Sequence, residues 1–161
     1  MCMYNIKKRI CNILHCPQYY INGDVPKPDI VGTTNIEGIR TILKDSLGNI
    51  PIYLPDRYYV LPTKESVEEF LRYDNTSEFP YTGDNPDGGF DCDNYAARLW
   101  GNMNIPSWAS IPKAVVWLST PAHAVNIIVD SELDVYYIEP QTDQLMLVKD
   151  KTNWVPYVAI L

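Results

Sequence analysis

The chain has 161 residues, of which 46% are hydrophobic, and it carries a formal net charge of −7. This length suits one globular domain whose core is large enough to hold the fold without disulfides. The acidic balance argues against nucleic acid and membranes as partners, because phosphate groups are bound by clustered cations. The longest basic run, residues 7–9, is short and isolated.

Three of the four cysteines lie at the N-terminus, at positions 2, 11 and 16. This uneven distribution is not typical of a secreted disulfide framework. These cysteines and His15 could offer four ligands to zinc, but their spacing matches no closed zinc site, and a short amphipathic helix within residues 1–16 is the better prediction. The segment lacks the apolar core of a signal peptide, and no stretch reaches the length of a transmembrane helix, so a cytoplasmic location is expected.

Residues 1–50 are predicted to form an N-terminal arm and a loop-rich segment, followed by one or two edge strands before residue 62. Residues 51–161 are predicted to form the main domain, unless the whole chain is one domain. A helix is predicted after Thr63, a suitable N-cap, with an apolar stripe of Val67, Phe70 and Leu71. A loop rich in Gly, Asp and Asn follows at residues 82–89.

Asp91 is predicted to cap a second helix, which begins at Cys92 and ends near Gly101. Further along the chain, β-prone segments alternate with turns. The predicted strands are residues 115–118, 122–129, 135–139, 145–148 and 155–161. Helices followed by strands indicate an α+β fold, with the Cys92 helix packed on an antiparallel sheet.

Cys92 is a candidate nucleophile, because a helix N-terminus stabilises a thiolate. A thiolate nucleophile also needs a base, and the base needs a group that orients its ring. If the predicted strands 122–129 and 135–139 form a hairpin symmetric about Ser131, His123 lies opposite Glu139, with Cβ atoms about 5 Å apart. We therefore predict that Glu139 holds one ring nitrogen of His123, while the other lies within roughly 4 Å of the Cys92 sulfur.

This order of a cysteine on a helix and then a histidine and an acid on successive strands resembles papain-like and transglutaminase-like cysteine hydrolases. Residues 90–96, 123–126 and 138–143 resemble more narrowly a group of phage-encoded and bacterial proteins. That group is related to the calcium-dependent cysteine-protease domain of a mushroom agglutinin, that of Marasmius oreades. The resemblance covers roughly residues 58–148. It implies a papain-like fold in which Cys92 is the nucleophile, His123 the general base and Glu139 the orienting acid.

The oxyanion hole of such a site is only partly predicted. The backbone N–H of Cys92 is the expected first donor. Papain uses a Gln upstream of its cysteine, but here no Gln lies between Gln18 and Cys92. The candidates for the second donor or for a supporting role are Tyr81, Asn85, Asn126 and Gln141.

Carboxylates crowd the segment around Cys92, where they would raise the pKa of the thiol and oppose the helix effect. Oxygen ligands on a Gly-rich loop suit Ca²⁺, and the agglutinin domain requires calcium. A calcium site is therefore an alternative to a site that requires no cofactor, although Pro86 and Gly88 break the EF-hand spacing. The candidate ligands are Asp84, Asp87, Asp91 and Asp93.

Three functions stay open on the sequence alone. The main prediction is a cysteine peptidase or amidase that attacks a peptide or protein substrate through a Cys92 thioester, directed at a cell wall if the phage resemblance is a guide. The alternative is a catalytically silent papain-like module that binds a ligand or builds part of a phage, which adds a virion to the expected locations. Acyl transfer of the transglutaminase type would use the same residues. The four Trp and twelve Tyr residues could line a groove for sugar or peptide, although most are expected in the core.

Overall fold

The computed structural model of the chain describes residues 25–83 and 88–161. The helix predicted within residues 1–16 and the zinc alternative lie outside these ranges. Within them, none of the helices combines the length and the apolar character that a membrane crossing requires.

Residues 25–83 and 88–161 contain eight strands and three α-helices. In chain order these are β1 (Ile30–Asn35), α1 (Ile36–Leu47), β2 (Ile52–Tyr53), β3 (Tyr58–Pro62), α2 (Lys64–Tyr73), α3 (Cys92–Asn102), β4 (Lys113–Thr120), β5 (Ala122–Val129), β6 (Val135–Glu139), β7 (Gln144–Leu147) and β8 (Val155–Ile160). The helices predicted after Thr63 and Asp91 are confirmed. So are the five late strands, whose ends lie within two residues of those predicted.

The segment before residue 50 contains a helix where loops were predicted. Asn35 caps α1 by accepting a hydrogen bond from the N–H of Gly38, and Gly48, at φ 81°, follows its last residue. Three residues spaced four apart bury one side of α1 against the central sheet: Ile39, Leu43 and Leu47. This helix is therefore part of the core.

Six strands form the central sheet in the order β2-β8-β4-β5-β6-β7, while β1 and β3 form a separate two-stranded sheet. The five strands from β8 to β7 are antiparallel, whereas β2 runs parallel to β8, so the central sheet is mixed. The predicted fold class, a papain-like or transglutaminase-like α+β fold with a nucleophile helix on an antiparallel sheet, was wrong. Strands dominate the architecture, and a parallel edge strand comes from a region far away in sequence, a pairing that local patterns do not reveal.

The two faces of the central sheet bury separate clusters. One face packs against α1, and the other packs against α2 and α3. A buried side chain ties α3 to the sheet, since Asn126 Nδ2 on β5 donates to the carbonyl oxygen of Ala96 at 2.9 Å. This contact holds α3 in place, with Cys92 as its first residue at one end of the sheet.

Candidate functional site

A groove of about 500 Å³ lies between the beginning of α3 and the turn of the β4–β5 hairpin. The first turn of α3 forms one wall, and β4, β5 and β8 form the other. Its polar and aromatic lining consists of Asp91, Cys92, Asp93, Asn94, Trp117, His123 and Tyr157. The groove therefore combines acids, an amide, an imidazole, a thiol and two large aromatic rings.

The N-terminus of α3 is organised by its own residues. The Asn94 side chain accepts a hydrogen bond from the backbone N–H of Asp91 at 3.1 Å, which is the reciprocal half of a capping box. Cys92 follows as a partly exposed free thiol. The first backbone N–H groups of a helix have no partner within the helix, and the capping box gives one of them, that of Asn94, a partner in the Asp91 side chain.

Asp91 and Asp93 lie on either side of Cys92 and interact with each other. A hydrogen bond that protonated Asp93 donates to Asp91, together with burial and the Asp91 charge, raises the pKa of Asp93. A negative charge on Asp93 is therefore less favourable beside Asp91 than in water. The other two predicted calcium ligands, Asp84 and Asp87, lie outside the described residues, and residues 25–83 and 88–161 contain no cluster of three or more His, Cys, Asp or Glu that could hold a metal. The calcium site stays a prediction.

His123 is held by a carboxylate and by an aromatic ring. Its Nε2 lies 2.7 Å from Oε2 of Glu139, and both side chains are largely buried, with exposed fractions of 20% and 17%. The other oxygen of Glu139 accepts a hydrogen bond from the backbone N–H of Gln141 at 3.3 Å. The ring of Trp154 meets the imidazole edge to face, with centroids 6.4 Å apart. The imidazole therefore has a fixed position.

His123 and Glu139 meet through a register that differs from the predicted one. The observed pairing of Asn126 with Ile138 centres the hairpin on Glu132, one residue later than predicted. Extended to the strand ends, this register makes His123 and Glu139 diagonal neighbours. A shift of two positions keeps side chains on the same face of a sheet, and diagonal neighbours are within reach of long side chains.

Cys92 and His123 line the same groove, but no hydrogen bond joins them within the described residues. Side chains alternate along β5, so that Ala124 packs towards α3 beside Cys92. His123 also lines the groove, and Glu139 and the Trp154 ring hold its imidazole. The predicted contact between thiol and imidazole stays a prediction.

The candidates for the second oxyanion donor or a supporting role lie in different places in the structure. Asn126 is buried, with 2% of its surface exposed, and uses its Nδ2 to hold α3. Gln141 contributes a backbone N–H to Glu139. Tyr81 is 60% exposed and does not line the groove. Asn85 lies outside the described residues.

Tyr157 is a groove residue that sequence reasoning missed. Trp117 pairs with Val158, and Leu118 pairs with Pro156, so Tyr157 is the extra residue of a β-bulge. Bulges re-aim side chains and occur next to binding sites. The neighbouring Pro156 was an available signal, because proline within a strand indicates an edge or a bulge.

No protein-family model and no curated protein matches this sequence. Several solved structures are similar in fold, among them the following two. A structure described as the PSL1a-E64 complex aligns with 80% of this chain and 50% of its own, at 20% identity and a TM-score of 0.62. Polyporus squamosus lectin bound to the human-type influenza-binding epitope Neu5Acα2-6Galβ1-4GlcNAc aligns with 80% of this chain and 49% of its own, at 17% identity and a TM-score of 0.61.

This chain therefore spans about half the length of each similar lectin chain, and the likeness concerns the fold. The assignment to papain-like and transglutaminase-like cysteine hydrolases, with the agglutinin protease domain as relative, was wrong, since the structures similar in fold are lectins. The classification as a hydrolase, thiol protease and catalytic-triad protein is corrected for the same reason. The resemblance rested on three short motifs separated by long unmatched segments, and such motifs carry little information about a whole fold.

Proposed function

We propose that this chain is a binding module whose ligand lies in the groove at the N-terminus of α3. The observation that carries the proposal is the lining of that groove, in which Trp117 and Tyr157 stand opposite the polar first turn of α3. Its volume of about 500 Å³ lies within the range of small-ligand sites. The His123 imidazole, held by Glu139, adds a rigid polar group to the wall.

Carbohydrate is the ligand class that this lining suits best. Aromatic rings offer apolar faces to the C–H surface of a sugar, and they keep their shape on binding. The side chains of Asp91, Asp93 and Asn94 can accept hydrogen bonds from hydroxyl groups. One protein of similar fold is a lectin bound to Neu5Acα2-6Galβ1-4GlcNAc, which supports a glycan as the first ligand to test.

Titration with Neu5Acα2-6Galβ1-4GlcNAc and a panel of other glycans, followed by tryptophan fluorescence, tests the proposal. We expect binding that Trp117→Ala and Tyr157→Ala each weaken at least about tenfold, since buried aromatic contacts dominate such sites. Tyr58→Ala is the matched control, because Tyr58 is 75% exposed on β3 and does not line the groove. The absence of binding across the panel, or binding that both groove variants retain, would overturn the proposal.

A second candidate function is supported by the His123–Glu139 contact. Nε2 of His123 is taken by Glu139, which leaves Nδ1 free to act as a base towards a thiol in the same groove. In this reaction the Cys92 sulfur bonds to an amide carbonyl carbon, the C–N bond breaks, and the amine leaves with the proton that His123 took from the thiol. Water or a second amine then releases the acyl group from the thioester.

This second function requires the His123 ring to take the proton of the Cys92 thiol, and the labelling rate of the thiol detects that. The epoxide of E64 is opened by thiolates, so we would measure the labelling of Cys92 by E64 in the folded chain, in a His123→Ala variant and in urea. Faster labelling in the folded chain, lost in His123→Ala, supports the second function. Labelling no faster than in urea rejects it, and the same assay with and without Ca²⁺ tests the calcium prediction.

A further inference from the structure

A strip of apolar side chains continues from the groove across the central sheet to its edge. It consists of Trp117 on β4, Val158 and Ile160 on β8, and Tyr53 on β2. Trp117 pairs with Val158, and Ile160 pairs with Tyr53 on one side and Val115 on the other. Paired residues share a face of a sheet, and Trp117 and Val115 belong to the face that α3 covers.

The strip is accessible to a ligand. Tyr53 and Ile160 have exposed fractions of 64% and 45%, and Val158 and Trp117 are half-buried. Three neighbouring strands cover two inter-strand spacings, so the strip is about 10 Å long. A contiguous apolar surface beside a binding groove marks an interaction site more often than isolated exposed residues do.

We propose that this strip binds an apolar group carried by the ligand of the groove, so that the ligand is a glycan with an alkyl or aryl aglycone. The inference rests on the proposed function and extends it. Trp117 belongs both to the groove and to the strip, which makes the two surfaces continuous. The side chains of Val158 and Ile160 offer nothing to sugar hydroxyls, but they bury methylene groups favourably.

Two ligands that differ only in the aglycone test the strip: the methyl and octyl glycosides of Neu5Acα2-6Galβ1-4GlcNAc, with the octyl compound kept below its critical micelle concentration. We expect the octyl glycoside to bind at least about tenfold more tightly. Ile160→Asp should reduce its affinity to that of the methyl glycoside and leave the methyl glycoside unchanged. Val31→Asp is the matched control, since Val31 is 66% exposed on β1. Circular dichroism checks that both variants fold.

The outcomes separate the strip from the groove. Equal binding of the two glycosides overturns the proposal that the strip binds the aglycone, and it leaves the proposed binding function of the groove unaffected. If neither glycoside binds, fluorescence of the neutral dye Nile red still tests the strip. An enhancement that Ile160→Asp abolishes supports an apolar site there, and an unchanged enhancement overturns it. A concentration-dependent dimer that Ile160→Asp dissociates would assign the strip to a second copy of the chain and overturn the ligand proposal.

Discussion

His123 Nε2 lies 2.7 Å from Glu139 Oε2, although these residues are diagonal neighbours in the β5–β6 hairpin. The carboxylate also accepts a hydrogen bond from the backbone N–H of Gln141, a residue of the turn after β6. Glu139 therefore connects the groove wall to the end of the sheet. The imidazole held in this way adds a polar group to the proposed binding groove, and the second proposed function uses it as a base.

Removal of the carboxylate should destabilise the fold modestly. Glu139→Ala is expected to lower the free energy of unfolding by about 1 kcal/mol, because it breaks a charged hydrogen bond that is only partly shielded from water. Urea denaturation at pH 7 measures the change. Glu68→Ala is the control, since its ion pair with Lys64 is more exposed. A loss for Glu139→Ala no larger than that for Glu68→Ala contradicts the account.

Asn126→Ala should destabilise the chain and also weaken the groove. The variant loses the hydrogen bond that ties Ala96 of α3 to β5, and it leaves a buried carbonyl with fewer partners, so a loss of about 1 to 3 kcal/mol is expected. Glycan affinity should fall as well, because α3 carries one wall of the groove. Asn104→Ala, at an exposed position, serves as the control. A destabilised variant with unchanged affinity would show that α3 keeps its position without this contact.

The interaction between Asp91 and Asp93 predicts that the stability of the fold depends on pH. The pKa of Asp93 is raised in the folded state, above its ordinary value of 3.8. Between pH 3.8 and the raised pKa, the folded chain therefore binds more protons than the unfolded chain. The contribution of Asp93 to stability is present below pH 3.8 and is lost as the pH rises through the folded pKa. Asp93→Asn should therefore be more stable than the wild type at pH 7 and equally stable near pH 3.

Chemical denaturation at the two pH values measures this difference. Asp45→Asn, at an exposed position on α1, controls for the change in net charge. If Asp93→Asn and Asp45→Asn behave alike at both pH values, the interaction of Asp93 with Asp91 has no measurable effect on stability.

For Lys113 we predict a pH dependence of stability with the opposite sign. Burial lowers the pKa of Lys113 to about 8, while its Nζ donates to the carbonyl oxygens of Trp108 and Ala109 at 2.9 and 3.1 Å. The unfolded chain, with a lysine pKa of 10.5, binds more protons between pH 8 and 10. The free energy of unfolding should therefore rise by about 2 to 3 kcal/mol over that range.

Lys113→Met should lack this rise, whereas the control Lys44→Met, at an exposed position on α1, should keep it. Thermal or urea unfolding from pH 8 to 10 gives the comparison. A flat profile in the wild type would show that the amine stays charged in the folded chain.

Local signals account for the elements that the sequence predicted correctly. Thr63 and Asp91 precede α2 and α3, and alternating apolar residues mark the late strands. The same kind of signal was present for α1, in the cap Asn35 and in Gly48 after its end. It was overlooked because the surrounding segment is rich in glycine and proline.

The remaining errors concern contacts between distant segments. The parallel pairing of β2 with β8 and the bulge that turns Tyr157 into the groove depend on how whole strands align. The predicted contact between His123 and Glu139 required only that both side chains lie on the same face of the sheet. The error of register left them on the same face, so the contact is still formed. The contact predicted between Cys92 and His123 stays a prediction, because it joins a helix to a strand and periodicity within one element cannot place it.

A titration of the ¹⁵N-labelled chain with Neu5Acα2-6Galβ1-4GlcNAc, followed by amide and indole chemical shifts, tests the central claim most directly. The account predicts shifts concentrated at Asp93, Asn94, the Trp117 indole and Tyr157, with little change at Tyr58. Shifts confined to other surfaces, or no shifts at millimolar ligand with this and every other glycan of the panel, would contradict a carbohydrate-binding function of the groove.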